Sequence, residues 1–439
     1  MLNINQQTLN DLVILLSKFV ERKPGTLSGN YRSNPQIVHY YYEIVRYWNK
    51  INYILKRRLN STNKHLVSGS SDIAKYLIAI YRIVWEKENT LKTVKELNLT
   101  KQQSKSLNNI EFFSWKQALK GKNEIERLSL ELAIPSFLIK KLLPVIGIKS
   151  INENFEPLKN IEGSETLTFR TNDLWSEKSN QNSIDLILKD LEEHNISVKQ
   201  DIHFSRLFHT SLKDKKKIVL SKSYKDGKLV IQDKASFAVV YLLHPHPNEL
   251  ICDMCAAPGI KTSIIAQLSQ NQARIIASDF STFRLNVMRR ISRNLNVLNS
   301  HLINSDSIKL PVRFTNFFDK ILIDAPCTGS GTFSTNPELK WRQNEGFLHQ
   351  NVVLQEKLLK SALKLLKPSG ILVYSTCSLY PEEGELQVLK ILDNFEPLEL
   401  PKWFSPSYKV KNQKIPGTGR LFPAIHQTKG FFIGKFKKK

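Results

Sequence analysis

Three short apolar runs that end in small, acidic or sulfur-bearing residues constrain this chain more than any other feature. Leu250 to Asp253 leads into Met254, Cys255, Ala256, Ala257, Pro258 and Gly259. Ile321 to Ile323 leads into Asp324, Ala325, Pro326 and Cys327, followed by Thr328, Gly329, Ser330 and Gly331. Ile371 to Ser375 leads into Thr376, Cys377 and Ser378. Continuous apolar runs of this length are how buried parallel strands read, because both faces of such a strand are covered. In open α/β sheets ligands bind just beyond the carboxyl ends of the strands. All four cysteines of the chain, Cys252, Cys255, Cys327 and Cys377, fall at or beside these three ends.

From about residue 233 strand and helix patterns alternate, which predicts a doubly wound α/β sheet. Strands are expected at Leu250 to Asp253, Arg274 to Asp279, His301 to Asp306, Lys320 to Asp324 and Ile371 to Ser375. Helices are expected near Ile260 to Leu268, Thr282 to Leu295 and Phe347 to Leu366, the last stopping at Lys367, Pro368, Ser369 and Gly370. An acid-started helix from Pro381 to Leu392 and a final strand from Phe431 to Phe436, hairpin-paired at the sheet edge, complete the expected domain of residues 233–439.

Two further modules precede it. Residues 1–120 read as helical, with apolar residues at mixed three and four spacing over Asp11 to Val20, Ile37 to Leu55 and Ile73 to Trp85. Breaks fall at Lys23, Pro24 and Gly25, and at Ser68 to Ser71. Residues 121–232 predict a small α+β module. Its expected parts are a helix over Leu128 to Leu143 around Pro135, a strand over Glu165 to Asn172, a helix over Ser183 to His194, and short strands at Lys217 to Leu220 and Lys228 to Gln232.

The chain carries 64 Lys and Arg against 40 Asp and Glu, a formal net charge of +24 over 439 residues. Such an excess predicts a polyanionic partner. Residues 1–120 hold 19 Lys and Arg against 8 Asp and Glu, so about a quarter of the chain holds nearly half the excess. Lys56, Arg57 and Arg58 with Tyr31, Tyr40, Tyr41 and Tyr42 suit RNA contact, or equally a charged face over an aromatic core. Lys213 to Lys217 is expected to be an exposed basic loop. No apolar run approaches the ~20 residues of a membrane span, and the Leu12 to Leu16 cluster reads as amphipathic helix rather than signal peptide. A cytoplasmic, monomeric, RNA-binding protein without a membrane partner is expected. Four cysteines make no disulfide framework. Cys252 and Cys255 lack the second pair that structural zinc needs, so no metal is expected.

The residues themselves suggest chemistry. Asp253 to Thr262 joins strand to helix through Ala256, Ala257, Pro258 and Gly259, letting a ligand approach backbone amides at a helix start. It is neither a dinucleotide fingerprint nor a Walker loop. Asp279 and Asp306 end the next two strands, where an acid binds ribose hydroxyls or simply caps a helix. Cys327 and Cys377 follow apolar strands of one sheet, and a thiolate is the soft nucleophile for an electron-poor double bond. A buried inert cysteine is the alternative for each alone. Asp324 is placed to act as acid or hydrogen-bond partner.

Asp253 to Thr262, Asp324 to Gly331 and Tyr374 to Ser378 resemble the signatures of the RNA (cytosine-5) methyltransferases of the Sun (RsmB-like) family. The resemblance runs from Glu165–Asn172, through Gln232 and Asp233, to Arg420–Pro423 and Gly430–Phe432, with Ile260 standing where the family usually has a second glycine. It implies a Rossmann-like methyltransferase domain, behind an RNA-recognition-like α+β module and a NusB-like helical domain. It implies that Cys255, Ala256, Ala257, Pro258, Gly259, Ile260, Lys261, Asp279, Asp306 and Asp324 hold S-adenosylmethionine. It further implies that Cys377 adds to carbon 6 of an extruded cytosine, that Asp324 bonds near nitrogen 3, and that Cys327 helps remove the carbon 5 proton. Ribosomal RNA is the favoured substrate, with transfer RNA next. An amino-group methyltransferase is disfavoured, because such enzymes resemble an Asn/Asp-Pro-Pro-aromatic strand end rather than Asp324 to Cys327. A non-catalytic RNA-binding assembly factor is the alternative from another class.

Overall fold

The computed structural model describes residues 4–439 except 23–26, 28–30, 32, 60–65, 157–165, 176–180 and 311. The expected break at Lys23 to Gly25 and the first residue of the Glu165 strand lie outside the described residues. The chain divides into two compact units: Met1–Lys140 with Ser334–Arg342, and Lys141–Phe333 with Gln343–Lys439.

The first unit is helical. Helix Gln6–Val20, capped by Asn5, buries Leu9, Leu12, Leu15 and Leu16. The apolar run from Ile37 to Leu55 forms two helices, Pro35–Arg46 and Trp48–Arg58, because Tyr47 leaves helical geometry (φ −97°, ψ 14°) between them. Helix Ser70–Val84 contributes Leu77, Ile78 and Ile80 to the same core. Tyr40 and Tyr41 are core residues, and the Tyr40 hydroxyl donates to Glu86 at 3.0 Å. Burial therefore removes these two tyrosines from any RNA face. Lys56 and Arg57 remain exposed. The segment Ser334–Arg342 joins this unit through the Trp341 indole, which donates to the Val45 carbonyl at 2.6 Å, and through Lys340, which donates to that of Ala133 at 3.1 Å.

The second unit contains two sheets. The smaller is antiparallel, built from β1 (Thr166–Thr171), β2 (Lys199–Gln200), β3 (Leu207–Ser211) and β4 (Leu229–Ile231) in the order β2-β3-β1-β4. Helix Gln181–Glu193 covers it, with Ile187 and Leu191 packed on Leu167, Phe169 and Phe208. Lys217 to Leu220 is helical, within Lys215–Leu220, and not a strand. The helical turn Leu212–Asp214 already commits the chain there, and only Ile218 finds a buried site, whereas Val219 and Leu220 stay partly exposed. The lysines around it are exposed, as expected.

The larger sheet contains β5 (Leu250–Asp253), β6 (Arg274–Asp279), β7 (Ser300–Asn304), β8 (Phe318–Asp324), β9 (Leu366–Thr376), β10 (Phe395–Pro397), β11 (Ser405–Pro406), β12 (Thr418–Leu421) and β13 (Phe431–Lys438). Its order is β11-β12-β13-β9-β8-β5-β6-β7, with β10 also on β13. Strands β7, β6, β5, β8 and β9 are parallel, and the remainder pair antiparallel, so the sheet is mixed. From β5 the chain moves outward through β6 and β7, then crosses to β8 and β9 on the other side. The carboxyl ends of β5 and β8 therefore open the crevice that such a reversal creates. Alternation sets the two faces. Ile251, Leu322 and Val373 meet helices Lys234–Leu243 and Ile260–Leu268 on one side. Cys252, Ile321, Ile323 and Tyr374 meet helix Glu345–Leu365 on the other.

Three expectations for this domain change. The segment from Pro381 to Leu392 is no continuous helix: a turn at Pro381–Glu383 and a short helix at Glu385–Val388 flank Gly384, whose backbone (φ −120°, ψ −97°) is not helical. Strand β13 is interior, because β12 and β10 pair beyond it; Thr418 to Leu421, with a glycine and an arginine at its centre, carries no strand pattern of its own. Strand β7 ends at Asn304, so Asp306 lies two residues past it as the cap of a short 3-10 turn. The fold depends most on the buried centre of β8. Leu322→Ala should cost ~2–5 kcal/mol of unfolding free energy in urea titration; an unchanged midpoint would contradict that core assignment.

Candidate active site

The crevice is built from the ends of β5, β8 and β9. Parallel pairing sets Asp253 level with Leu322, and Asp324 level with Ser375. Beyond that last pair each chain turns, and the sulfurs of Cys327 and Cys377 meet at 3.1 Å, both half-buried. Gly331 secures the meeting. Its amide donates to the Cys377 carbonyl at 2.9 Å, and its own carbonyl accepts from Gly430 at the same distance. A Cβ at Gly331 would stand 2.1 Å from the Gly430 oxygen, so only glycine fits.

An acid and an amine lie beside the thiols. Lys261 Nζ is 2.5 Å from Asp324 Oδ2, and the Ser375 hydroxyl donates to Asp324 Oδ1 at 2.9 Å. Burial works against the Lys261 ammonium, but the Asp324 carboxylate outweighs it and the Lys261 pKa is raised. Behind them Asp253 is almost fully buried; it accepts from the Thr262 hydroxyl at 2.7 Å through Oδ2, while Oδ1 has no hydrogen-bond partner among the described residues. Burial pushes the Asp253 carboxyl up to about 7; the Thr262 bond partly offsets this and the Asp324 charge adds to it.

The two thiols differ. The hydrogen bond with Cys377, together with burial, raises the Cys327 pKa well above the ordinary thiol range. Either sulfur can donate in the 3.1 Å contact, so the two thiols share one hydrogen bond at the rim of the crevice. Once deprotonated, Cys327 would be a strong base. The other two cysteines lie outside this sulfur–sulfur contact. Cys252 lies inside β5 with its pKa raised by burial, and the Cys255 thiol is raised by burial and by the carboxylates of Asp253, Asp324 and Asp279.

The small-residue loop lines the crevice next to these groups. Ala256 and Ala257 are buried, Pro258 is exposed, and Gly259 adopts φ 101° to cap helix Ile260–Leu268. A Cβ on Gly259 would lie 2.7 Å from Met288. Ile260 is the first helical residue, so a side chain is accommodated where the family usually has glycine. Asp279, buried at the end of β6, accepts from the Ala257 amide at 3.3 Å and pairs with Arg284 at 3.0 Å. Asp306 is exposed, and its carboxylate accepts from the Ile308 amide at 3.0 Å. The structure thus gathers Cys255 to Lys261, Asp279, Asp324, Cys327 and Cys377, and Asp306 caps the turn two residues beyond β7.

Sequence reasoning did not single out Ser375, Asp253 or Glu383. Ser375 stands two residues before Cys377 and hence on the same side of its strand, which is the signal that could have found it. Asp253 stood in the open as the acid ending β5. Glu383 read only as the acidic start of a helix.

Because the Asp253 pKa is raised from 3.8, the folded protein holds a proton there that the unfolded chain releases above about pH 4. That contribution to stability is present at acid pH and lost as pH rises through about 7. Asp253→Asn should therefore gain stability relative to the parent protein between pH 5 and pH 8, by about 1 kcal/mol or more. Urea unfolding at the two pH values measures this; a difference independent of pH would contradict the raised carboxyl.

Residues 240–437 match the family model described as 16S rRNA methyltransferase RsmB/F. A probable ribosomal RNA small subunit methyltransferase B from Synechocystis sp. is 36% identical over 224 residues, covering 49% of each chain. The tRNA (cytosine(49)-C(5))-methyltransferase of Pyrococcus abyssi is 34% identical over 224 residues, covering 49% of this chain and 72% of that one. The crystal structure of a methyltransferase homolog protein from Pyrococcus horikoshii is 31% identical, with a TM-score of 0.62 over 72% of this chain and all of that one. The chain spans half the length, or less, of the first curated relatives it matches. On these grounds the chain belongs to the RsmB/Sun family of RNA (cytosine-5) methyltransferases.

Proposed function

We propose that this protein transfers a methyl group from S-adenosylmethionine to carbon 5 of a cytosine in RNA, through a covalent bond between the base and Cys377. The observation that carries this reading is the 3.1 Å approach of the Cys327 and Cys377 sulfurs beside the Lys261–Asp324 pair. Two thiols at one crevice serve a reaction that needs a nucleophile and, later, a base.

The residues fit the cofactor by their chemistry. The cradle at Ala256 to Gly259 brings backbone close, and the helix start at Ile260 and Lys261 favours a carboxylate. Asp279 at its strand end suits ribose hydroxyls. Asp306 caps the next turn through Oδ1 and is exposed, which leaves its second oxygen for the same ligand. S-adenosylmethionine supplies an electrophilic methyl group. Cys377 forms a bond to carbon 6 of the extruded base, and the electron pair of the 5,6 double bond moves toward carbon 5 and the ring. Asp324, sharing a proton with Lys261, bonds near nitrogen 3 and steadies that charge. After carbon 5 takes the methyl group, Cys327, its own thiol proton released to solvent, accepts the carbon 5 proton; the electron pair of that C–H bond re-forms the 5,6 double bond and Cys377 leaves as a thiolate.

Cys377→Ala should abolish methyl transfer from radiolabelled S-adenosylmethionine while cofactor binding persists. Cys327→Ala should retain the RNA as an adduct that survives denaturing electrophoresis. Turnover by the first variant, or an adduct with both cysteines replaced, would overturn the assignment.

Ribosomal RNA is the favoured substrate, with transfer RNA the alternative; relatives carry both names. The protein's +24 charge supports an RNA partner, and the basic, NusB-like helical unit is proposed to supply part of the grip. Lys56→Glu with Arg57→Glu should weaken RNA affinity several-fold and reduce the slope of log affinity against log salt by ~1–2. An unchanged slope would give that unit another role. Bisulfite sequencing of ribosomal and transfer RNA, with and without the gene, identifies the cytosine.

A further inference from the structure

The turn that breaks the expected helix at Gly384 does more than end a strand connection. Glu383, fully buried, accepts from the Thr328 amide at 3.0 Å, from the Thr328 hydroxyl at 2.5 Å and from Gln355 at 3.0 Å. Thr328 directly follows Cys327. Two residues on, Glu385 forms a two-pronged ion pair with Arg420, at 2.7 and 2.6 Å, with both side chains wholly buried. The remaining guanidinium nitrogen donates to the Ser378 carbonyl at 2.9 Å. Ser378 directly follows Cys377. The Ser378 hydroxyl lies 3.4 Å from that of Thr328 and 3.2 Å from that of Ser330, closing the gap between the two turns.

Gly384 explains why one tripeptide can reach both. A Cβ there would stand 2.7 Å from the Phe432 ring and 3.0 Å from the guanidinium, so the backbone lies flat against the groups its neighbours hold. Arg420 in turn packs its face on the Tyr408 ring, 3.8 Å from the centroid. A guanidinium offers a rigid planar fork that an ammonium cannot reproduce. Beyond the last residue of β9, carbonyls lose their ladder partners, and Arg420 supplies one.

We propose that Glu383, Gly384 and Glu385, acting with Arg420, set the spacing of the two thiols, with Glu383 and Arg420 as positioning residues for Cys327 and Cys377 respectively. Neither needs to touch the RNA or the cofactor. Glu383 fixes the turn that aims Cys327, and Arg420 fixes the one that aims Cys377. The kinetic consequence rests on the reaction proposed above; the geometric one does not.

The geometry can be read without any turnover. In the full-length protein, a small diazene oxidant joins two thiols as a disulfide, itself being reduced to the hydrazine, at a rate governed by how closely they approach. Arg420→Lys keeps the charge and loses the fork; Glu383→Gln keeps the shape and weakens the acceptor. In each folded variant, with S-adenosylmethionine affinity within about threefold of the parent, we expect Cys327–Cys377 disulfide formation to slow at least tenfold. We expect kcat for RNA methylation to fall a hundredfold with KM little changed. Ser378→Ala deletes a hydroxyl without stranding a buried charge, keeps the test open if the other variants fail to fold, and should slow closure three- to tenfold. Parental disulfide rates in the folded variants would overturn the proposal. Slowed closure in a protein whose parent methylates no RNA would leave the proposal standing and remove the function assigned above.

Discussion

The parallel pairing of β8 with β9 is the constraint on which the approach of the two sulfurs, one beyond each strand, depends. Parallel pairing puts Asp324 level with Ser375, and from that register both chains turn toward each other. A parallel sheet covered on both faces holds such a register firmly, since a one-residue slip would turn its apolar side chains to the wrong side. The chemistry is thus an outcome of sheet packing. Ile321, Leu322 and Ile323 are fully buried so that Asp324 and Cys327 can be presented at the rim.

Around that contact the charges are arranged in layers. Lys261 and Asp324 face the crevice as a pair, and Asp253 stands behind them in a fully buried place where a second carboxylate charge is disfavoured. On the opposite side of the thiols, Glu385 and Arg420 are buried together. Burying such a pair costs desolvation that attraction alone seldom repays. The extra hydrogen bonds to Ser378 and Tyr408 offset part of that cost and give the pair a geometric task. An apolar pair of equal volume could fill the space, but it could not hold the Ser378 carbonyl.

Much of this was legible in the sequence because the larger domain repeats one simple pattern. Apolar runs fully buried between helices need no context to be recognised, and their ends mark the crevice. On that basis Cys327, Cys377 and Asp324 could be placed at neighbouring strand ends, and the small-residue loop after Asp253 read as a ligand approach; the cofactor set and the roles came from the family resemblance. What failed to show were features set by distant partners. Arg420 lies in a four-residue strand that exists because β13 and β11 flank it. Lys217 to Leu220 carries β-branched residues yet folds as helix because the preceding turn fixes its direction. Glu383 looked like the start of one long helix, but the non-helical backbone of Gly384 splits the segment into a turn and the short helix Glu385–Val388, and the Cβ clash at that position explains why glycine stands there. Tyr40 and Tyr41 could have faced RNA or core by periodicity, and packing decided for core.

The most direct test of the account is the identity of the residue bonded to the base. RNA carrying 5-fluorocytosine at the target cannot release the carbon 5 substituent as a proton, so the enzyme–base bond should persist after methyl transfer. Peptide mass spectrometry of that adduct should find the modified nucleotide on Cys377. A nucleotide carried by Cys327, or RNA methylated with no protein adduct formed, would contradict the division of labour between the two thiols.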